Sequence, residues 1–140
     1  MISKNFVFQE FVPPEIFTKF GDNSIWFVDN RLVNVCQYIR SGTGKPLTIN
    51  NWHTGGTYRE SGYRVPDSTT GAKYSQHKFG RGADLKSELT PGELYDFVKN
   101  NYRVLSSLGL TTCENIEHTP HWLHIDCRQT NQKDLLIVNP

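Results

Sequence analysis

Apolar residues in the first part of the chain recur at the spacing of helices. Pro13 and Pro14 introduce a short helix over residues 15–20, and Gly21 ends it, because proline suits the first helical turn and glycine the position after the last. A longer helix follows, and the candidates for its N-cap are Asp22, Asn23 and Ser24. Its apolar face is formed by Ile25, Val28, Leu32, Val35, Cys36 and Ile39. Residues 41–44, which include two glycines, end this second helix.

The rest of the chain alternates between strand and helix patterns. Strands are predicted over residues 46–50, 82–86, 111–116, 122–127 and 135–138. Thr90 and Glu93 form a capping box around Pro91, which predicts that a helix begins there. The apolar face of this helix is formed by Leu94, Phe97 and Val98.

The stretch between the first two predicted strands is long and rich in Gly, Thr and Ser, and it has no helical period. Its aromatic residues include Trp52, Tyr58 and Tyr63. Loops of this length in a compact domain are usually functional when they are ordered. We therefore expect an ordered functional loop or a lid here.

Residues 122–127 alternate with a period of two, as in a strand with one buried face. The alternation sends Leu123, Ile125 and Cys127 to one face, which we predict to be core. The opposite face carries Trp122, His124 and Asp126. The strand thus presents a polar and aromatic face on which His124 could reach a metal ion.

Length and charge narrow the range of functions. A chain of 140 residues is predicted to form one domain, residues 1–140, that needs no metal merely to hold it together. The 15 basic and 14 acidic residues give a net charge of +1, which argues against nucleic acid or a membrane surface as partner. No apolar run approaches the roughly 20 residues that span a bilayer, and no signal peptide is apparent. We expect a monomer that is made in the cytosol.

The three cysteines, Cys36, Cys113 and Cys127, are too few and of the wrong parity for a disulfide framework. Small buried thiols are the expected state, with a bridge between Cys113 and Cys127 as the alternative. A structural zinc knuckle is a further alternative, because Cys113, His118, His121, His124 and Cys127 lie close together in sequence. The chain has no Cys-x2-Cys pair, and strand alternation separates His124 from Cys127, so we disfavour the knuckle.

The segment 75–84 carries the most specific candidate chemistry. His77 and Asp84 are seven residues apart, and two glycines between them allow the backbone to turn back. Two such groups meet at one cation only if the segment folds over, and a third ligand must come from elsewhere. His124 is the best candidate, since three N and O ligands around an open position make a catalytic type of zinc shell.

Three motifs carry a family resemblance: Ser61-Gly62-Tyr63-Arg64, the run from Ser75 to Asp84, and Trp122-Leu123-His124-Ile125-Asp126. In this order they resemble the zinc D-Ala-D-Ala carboxypeptidase family, which also holds peptidoglycan endopeptidases such as phage endolysins. The resemblance implies an α+β fold of the hedgehog/DD-peptidase type, in which a small antiparallel sheet carries the zinc and helices pack on one side.

The resemblance also assigns roles to residues. It implies that His77, Asp84 and His124 bind zinc, and that Arg64 binds the substrate or stabilises the developing oxyanion. Several members have an acid as general base at the position of His121. We therefore rank His121 first as the base and Glu114 second, with Glu117 as a further competitor. The residues expected to contact the substrate or to orient a ligand imidazole are Tyr63, Ser75, Trp122 and Asp126.

The expected function is a zinc-dependent hydrolase that cleaves peptide bonds in bacterial peptidoglycan. A phage-type endolysin endopeptidase, made in the host cytosol and acting on the wall stem peptides after release, is favoured over a D-Ala-D-Ala carboxypeptidase. The alternative from another class is a non-catalytic wall-peptide-binding or virion structural module of the same fold.

Overall fold

A computed structural model describes residues 1–140 and contains four α-helices and five strands. The helices are α1 (Pro14–Phe20), α2 (Asn30–Thr43), α3 (Pro91–Asn100) and α4 (Tyr102–Leu108). The strands are β1 (Leu47–Thr48), β2 (Gly82–Ser87), β3 (Thr112–Glu114), β4 (Leu123–Asp126) and β5 (Leu136–Val138). Short 3-10 helices occupy Phe8–Glu10, Gly21–Phe27, Trp52–Thr54 and Gln76–Phe79. The α+β class expected from the sequence is thus confirmed.

The five strands form one sheet in the order β1-β2-β4-β3-β5. The pairs β1/β2, β2/β4 and β3/β4 are antiparallel, whereas β5 runs parallel to β3. The sheet is therefore mixed, and the expectation of a purely antiparallel sheet is wrong at this edge. After β4 the chain reverses direction and passes to the far side of β3. Because β4 and β3 run in opposite directions, the returning strand β5 lies parallel to β3.

One face of the sheet forms the hydrophobic core with three helices. The inward residues of β2 and β4 are Ala83, Leu85, Leu123 and Ile125, and each is fully buried. The helices contribute Leu32, Val35 and Ile39 from α2, Leu94 and Val98 from α3, and Leu105 from α4. Burying a side chain of this size contributes about 1.5–3 kcal/mol. The predicted alternation of residues 122–127 is confirmed, since Leu123, Ile125 and Cys127 all join this core.

Helix α2 begins later than the sequence predicts, at Asn30, and residues 21–27 form a 3-10 helix instead. Val28 has an extended backbone, and the amide of Asp29 donates a 2.8 Å hydrogen bond to the carbonyl of Gly80. Asp29 then caps α2 by accepting from the amide of Arg31. Ile25, expected on the apolar face, is 42% exposed. A contact with a distant part of the chain therefore decides where this helix starts.

Helix α3 begins as predicted. The Thr90 hydroxyl accepts from the amide of Glu93 at 3.1 Å, and the Glu93 carboxylate accepts from the amide of Thr90 at 2.8 Å, so the capping box is confirmed. A cap of this kind contributes about 1 kcal/mol. None of the helices has the length and apolar character needed to cross a membrane.

All three cysteines are buried free thiols, as expected, and the alternative bridge between Cys113 and Cys127 does not form. Burial raises the pKa of the Cys127 thiol to about 12 and raises that of Cys113 still further. These thiols are therefore neutral packing groups rather than nucleophiles or metal ligands.

Candidate metal centre

His77, Asp84 and His124 converge on the polar face of the sheet and form a group that could hold a metal ion. His124 Nδ1 lies 2.9 Å from Asp84 Oδ1, and His77 Nε2 lies 3.1 Å from that nitrogen and 3.2 Å from that oxygen. Ligand atoms around a four-coordinate zinc, with bonds of about 2.0–2.1 Å, lie about 3.3 Å apart. The three atoms therefore already have nearly the spacing that one small cation requires.

Regular strand pairing and one tight turn position these side chains. Asp84 on β2 is directly opposite His124 on β4, so the two side chains lie side by side on one face. His77 lies in the 3-10 helix Gln76–Phe79, which ends at Gly80 in a left-handed conformation with φ 69°. Glycine adopts this conformation without steric cost, and the turn carries the chain from His77 back into β2.

Each imidazole is oriented through its second ring nitrogen. Nδ1 of His77 donates to the carbonyl oxygen of Gly62 at 2.8 Å, and Nε2 of His124 donates to Asp126 at 3.0 Å. These bonds direct the remaining nitrogen of each ring toward Asp84. Asp126 is fully buried and is also held by Arg128 at 2.6 Å. It is therefore placed as the group that orients His124, not as an ordinary surface acid.

The charges in this group compensate one another. Burial alone would raise the pKa of Asp84, but hydrogen bonds with His124 and His77 hold that pKa well below its usual range. Burial alone would lower the pKa of His124, but its bonds to Asp126 and Asp84 raise the pKa to about 9. Burial lowers the pKa of His77. A protonated His124 thus balances the buried carboxylates, and a metal ion must displace that proton to bind.

Arg64 directly contacts the three candidate ligands His77, Asp84 and His124, called the metal group from here on, through Asp84. Its guanidinium donates to Asp84 Oδ2 at 3.2 Å, to the carbonyl of Glu60 at 2.7 Å and to the carbonyl of Thr70 at 3.4 Å. The Asp84 carboxylate therefore faces His124 and His77 with one oxygen and Arg64 with the other. Arg64 is only 8% exposed, so it is a buried part of the site rather than a solvated loop residue.

A cavity of about 520 Å³, here called the first cavity, opens over the three candidate ligands. Its lining includes His77, Asp84 and His124, together with Arg64, Ser75, Glu114, His118 and Trp122. The group that could hold a metal is thus accessible from one side. A catalytic metal site needs such access, whereas a structural site is closed.

Glu114 lies beside the metal group on the sheet. β3 pairs with β4 so that Cys113 is opposite Ile125, and the next step of this register sets Glu114 beside His124. The Glu114 carboxylate forms no ion pair with a basic side chain, and burial raises its pKa. A half-buried carboxylate that lines the first cavity is a suitable proton acceptor.

His121, ranked first as the general base from the sequence, is exposed and does not line the first cavity. It lies in a bend before β4, outside the strand that carries His124. Glu117 is also exposed and lies outside the cavity. Of these three candidates, the structure brings only Glu114 to the cavity over the candidate ligands, and which residue acts as the base stays a prediction.

The residues expected to contact a substrate have different positions. Ser75 and Trp122 line the first cavity, although the Ser75 hydroxyl also accepts from the amide of His77 at 3.3 Å. Tyr63 is buried, and its ring packs 5.3 Å from that of Phe27. Tyr63 lines neither the first cavity nor the cavity that adjoins it, so the structure does not bring it to the candidate ligands, and its substrate contact stays a prediction.

A second cavity of about 390 Å³ adjoins the first. Both cavities are lined by Arg64, Thr70, Asp84 and Trp122. The residues that line only the second cavity include Tyr58, Arg59, Ser61 and Lys86. Burial lowers the pKa of Lys86 to about 8. The metal group thus lies where two cavities meet.

Sequence reasoning missed His118 and Lys86 as cleft residues. Lys86 follows Asp84 by two positions on a predicted strand, so alternation alone places both on one face. His118 lies in the turn after β3, and no periodic signal marks it. The zinc knuckle does not form, because Cys113 and Cys127 belong to the core on the opposite side of the sheet from His124.

Comparisons with protein-family profiles, with curated proteins and with solved structures gave no match. The family resemblance of the three sequence motifs therefore stays a prediction.

Proposed function

We propose that this protein is a zinc-dependent peptidase that cleaves peptide bonds in bacterial peptidoglycan, as an endopeptidase of the phage endolysin type. The observation that carries the proposal is the oriented group of His77, Asp84 and His124 at the floor of an open cavity. The class of substrate comes from the resemblance of the sequence motifs to the zinc D-Ala-D-Ala carboxypeptidase family.

The donor set fits zinc. His77, Asp84 and His124 would hold it through two imidazole nitrogens and one carboxylate oxygen, a set that leaves one tetrahedral position for water or substrate. When bound in this way, zinc acts as a Lewis acid that polarises a carbonyl group and makes water more acidic. The hydrogen bonds from the imidazoles to Gly62 and Asp126 preorganise the ligands.

Glu114 is the residue we assign as general base. It lines the cavity beside His124, forms no ion pair, and its raised pKa brings it closer to neutrality than an exposed glutamate. A base of this kind takes a proton from the attacking water and passes it to the leaving amine, a contribution of about 10²–10⁴ in rate.

Arg64 is the residue we assign to stabilise negative charge on the substrate carbonyl oxygen. A guanidinium has five N–H donors, and three hydrogen bonds of Arg64 go to Glu60, Thr70 and Asp84. The remaining donors are available at the wall shared by both cavities. A donor that is fixed before the reaction need not reorganise when charge develops.

The arrangement of the two cavities supports an endopeptidase over a carboxypeptidase. An exopeptidase closes its subsite just beyond the terminal residue, whereas an endopeptidase needs room on both sides of the bond. The two cavities meet at Asp84, Arg64 and Trp122, so a peptide chain can extend to either side of the metal group.

Incubation of the zinc-loaded protein with purified bacterial sacculi tests the proposal. We expect new amino and carboxyl termini inside the stem peptides, detected by mass spectrometry. Release of free terminal D-alanine alone would indicate the carboxypeptidase instead. Tight binding of zinc-loaded protein without any cleavage would contradict the peptidase and favour a wall-binding module.

A matched pair of variants tests the assignment of the base. Glu114→Gln is expected to lower the turnover rate by about 10²–10⁴ without loss of zinc. Glu117→Gln changes an exposed acid three residues away that lies outside the cavity, and it should retain full activity. Equal activity of both variants would contradict the role of Glu114.

A further inference from the structure

The second cavity contains positive charge that the protein itself does not neutralise. Lys86 and Arg59 both line it, and the ion pairs of the basic side chains involve Arg31, Lys45, Arg64 and Arg128 instead. Of its two acids, Asp84 is paired with Arg64, whereas Glu60 accepts from the neutral hydroxyls of Ser68 and Thr70 and keeps its negative charge. The lining of the second cavity therefore carries an excess of positive charge, and neither Lys86 nor Arg59 forms an ion pair.

Lys86 is held in place rather than free in solvent. Its ammonium donates to the Ser61 hydroxyl at 2.8 Å and to the carbonyl of Asp84 at 3.0 Å, and it lies 4.3 Å from the ring centroid of Tyr58. All three contacts are with neutral groups, so none compensates its charge. An ammonium group has three donors, which leaves one for a ligand.

We propose that the second cavity is a subsite for a carboxylate of the bound peptide, which Lys86 and Arg59 recognise on the far side of Asp84 from Glu114. The inference rests on the proposed function in one respect, namely that the ligand is a peptide. It adds a substrate class: peptides whose residue on this side of the metal group bears a free carboxylate. A fixed, partly desolvated ammonium group favours a charged partner over its neutral amide.

A titration of the zinc-loaded protein followed by backbone amide NMR tests this subsite. The probes are N-acetylglycine and its neutral counterpart N-acetylglycinamide, which differ only in the carboxylate. We expect the acid to shift the amides of Tyr58, Arg59 and Ser61 and to bind at least about tenfold more tightly than the amide. Equal affinity of the two probes, or shifts confined to His118 and Thr119 in the first cavity, would overturn the proposal.

Two substitutions identify the residues responsible. Lys86→Met should weaken N-acetylglycine binding about tenfold or more, since it removes a charge-assisted hydrogen bond. Lys99→Met is the matched control, because Lys99 also lies over a tyrosine ring, that of Tyr95, but outside both cavities. Should Lys86→Met fail to fold, Arg59→Gln changes an exposed residue and is expected to weaken binding by about two- to fivefold. Unchanged binding in the folded variants would overturn the proposal.

Cleavage of two matched stem-peptide fragments, one with free carboxylates and one fully amidated, separates this inference from the proposed function. Cleavage of both fragments at equal rates would leave the peptidase in place and overturn the subsite. Carboxylate binding at Lys86 without cleavage of either fragment would support the subsite and contradict the peptidase. Preferential cleavage of the free-carboxylate fragment, lost in Lys86→Met, supports both.

Discussion

The two faces of the strand pair β2 and β4 are both buried at their centre but opposite in composition. On the inner face, Leu85 and Ile125 are fully buried among apolar side chains. On the outer face, Asp84 and His124 are only 8% and 3% exposed, yet both are ionisable. Successive residues of the same two strands thus enter a dry core and a charged site.

The difference shows what each face contributes. An apolar face gains stability in proportion to the area and volume that it buries. A buried charged face gains little, because removing charges from water costs nearly as much as their pairing returns. Its charges are instead fixed in a geometry suited to a cation. We therefore expect changes on the inner face to alter stability and changes on the outer face to alter metal binding.

The largest expected effect is on the outer face. His77→Ala removes one candidate ligand. The zinc content measured by metal analysis should therefore fall from about one zinc per chain to almost none, and peptidase activity should be lost as well. His121→Ala is the control, since His121 is an exposed histidine outside the cavity. Circular dichroism should show that both variants are folded. Full zinc occupancy in His77→Ala would contradict the candidate centre.

A change on the inner face should act differently. Leu85→Ala leaves a space in the core beside the metal group and is expected to lower the free energy of unfolding by about 2–5 kcal/mol. Urea denaturation measures this loss. The zinc content of the folded protein should stay at about one per chain. Val104→Ala, at a 42% exposed position of α4, is the control and should cost less than about 1 kcal/mol.

A smaller effect on zinc binding is expected from a residue that contacts a candidate ligand without being one itself. Asp126→Asn weakens the hydrogen bond that orients His124, so zinc affinity should fall about 10–100-fold while the stoichiometry stays the same. Competition with a chelator measures the affinity. Asp96→Asn, at an exposed position of α3, should leave the affinity unchanged. An equal loss in both variants would show that the effect is not specific to the metal group.

The smallest effect concerns pH and a group outside both faces. Burial raises the pKa of Glu10 to about 7, although a hydrogen bond from the amide of Val7 acts in the opposite direction and lowers this pKa. Between the ordinary glutamate pKa and pH 7, the folded state binds a proton that the unfolded state releases. Stability therefore falls as the pH rises through this window, by about 1 kcal/mol after solvent screening.

Glu10→Gln is neutral at every pH and should remove this slope while keeping the capping interaction. Urea denaturation of both proteins at pH 5 and at pH 8 measures the difference. The wild type should lose more stability than Glu10→Gln between the two values. If both proteins lose the same stability between pH 5 and pH 8, the pH dependence of stability comes from groups on the outer face of the sheet instead.

The sequence predicted those parts of the fold and site that depend on local geometry. The capping box at Thr90 and the alternation around His124 each involve residues within one element, where spacing determines the outcome. His77 and Asp84 were recognisable because the turn between them is short. Parts that depend on distant contacts were missed, such as the start of α2 at Asn30, which the bond from Asp29 to Gly80 determines.

The ranking of the general base illustrates the same limit. His121 is close to His124 in sequence, but Glu114 is its neighbour across the sheet. Strand register links residues that are ten positions apart and is set by pairing, which no single segment encodes. The burial of Tyr63 against Phe27 was equally out of reach of local patterns.

Gly80 has a consequence for protein engineering. A Cβ atom at this position would lie only 1.9 Å from the carbonyl oxygen of Phe27, so the turn of the metal motif fits against the N-terminal region with no space for a side chain. The carbonyl oxygen of Gly80 also accepts a hydrogen bond from the amide of Asp29, the residue that caps the start of α2. The segment 75–84 therefore cannot be transferred to another protein by itself. Without residues 27–29 it would lack the backbone against which its turn packs.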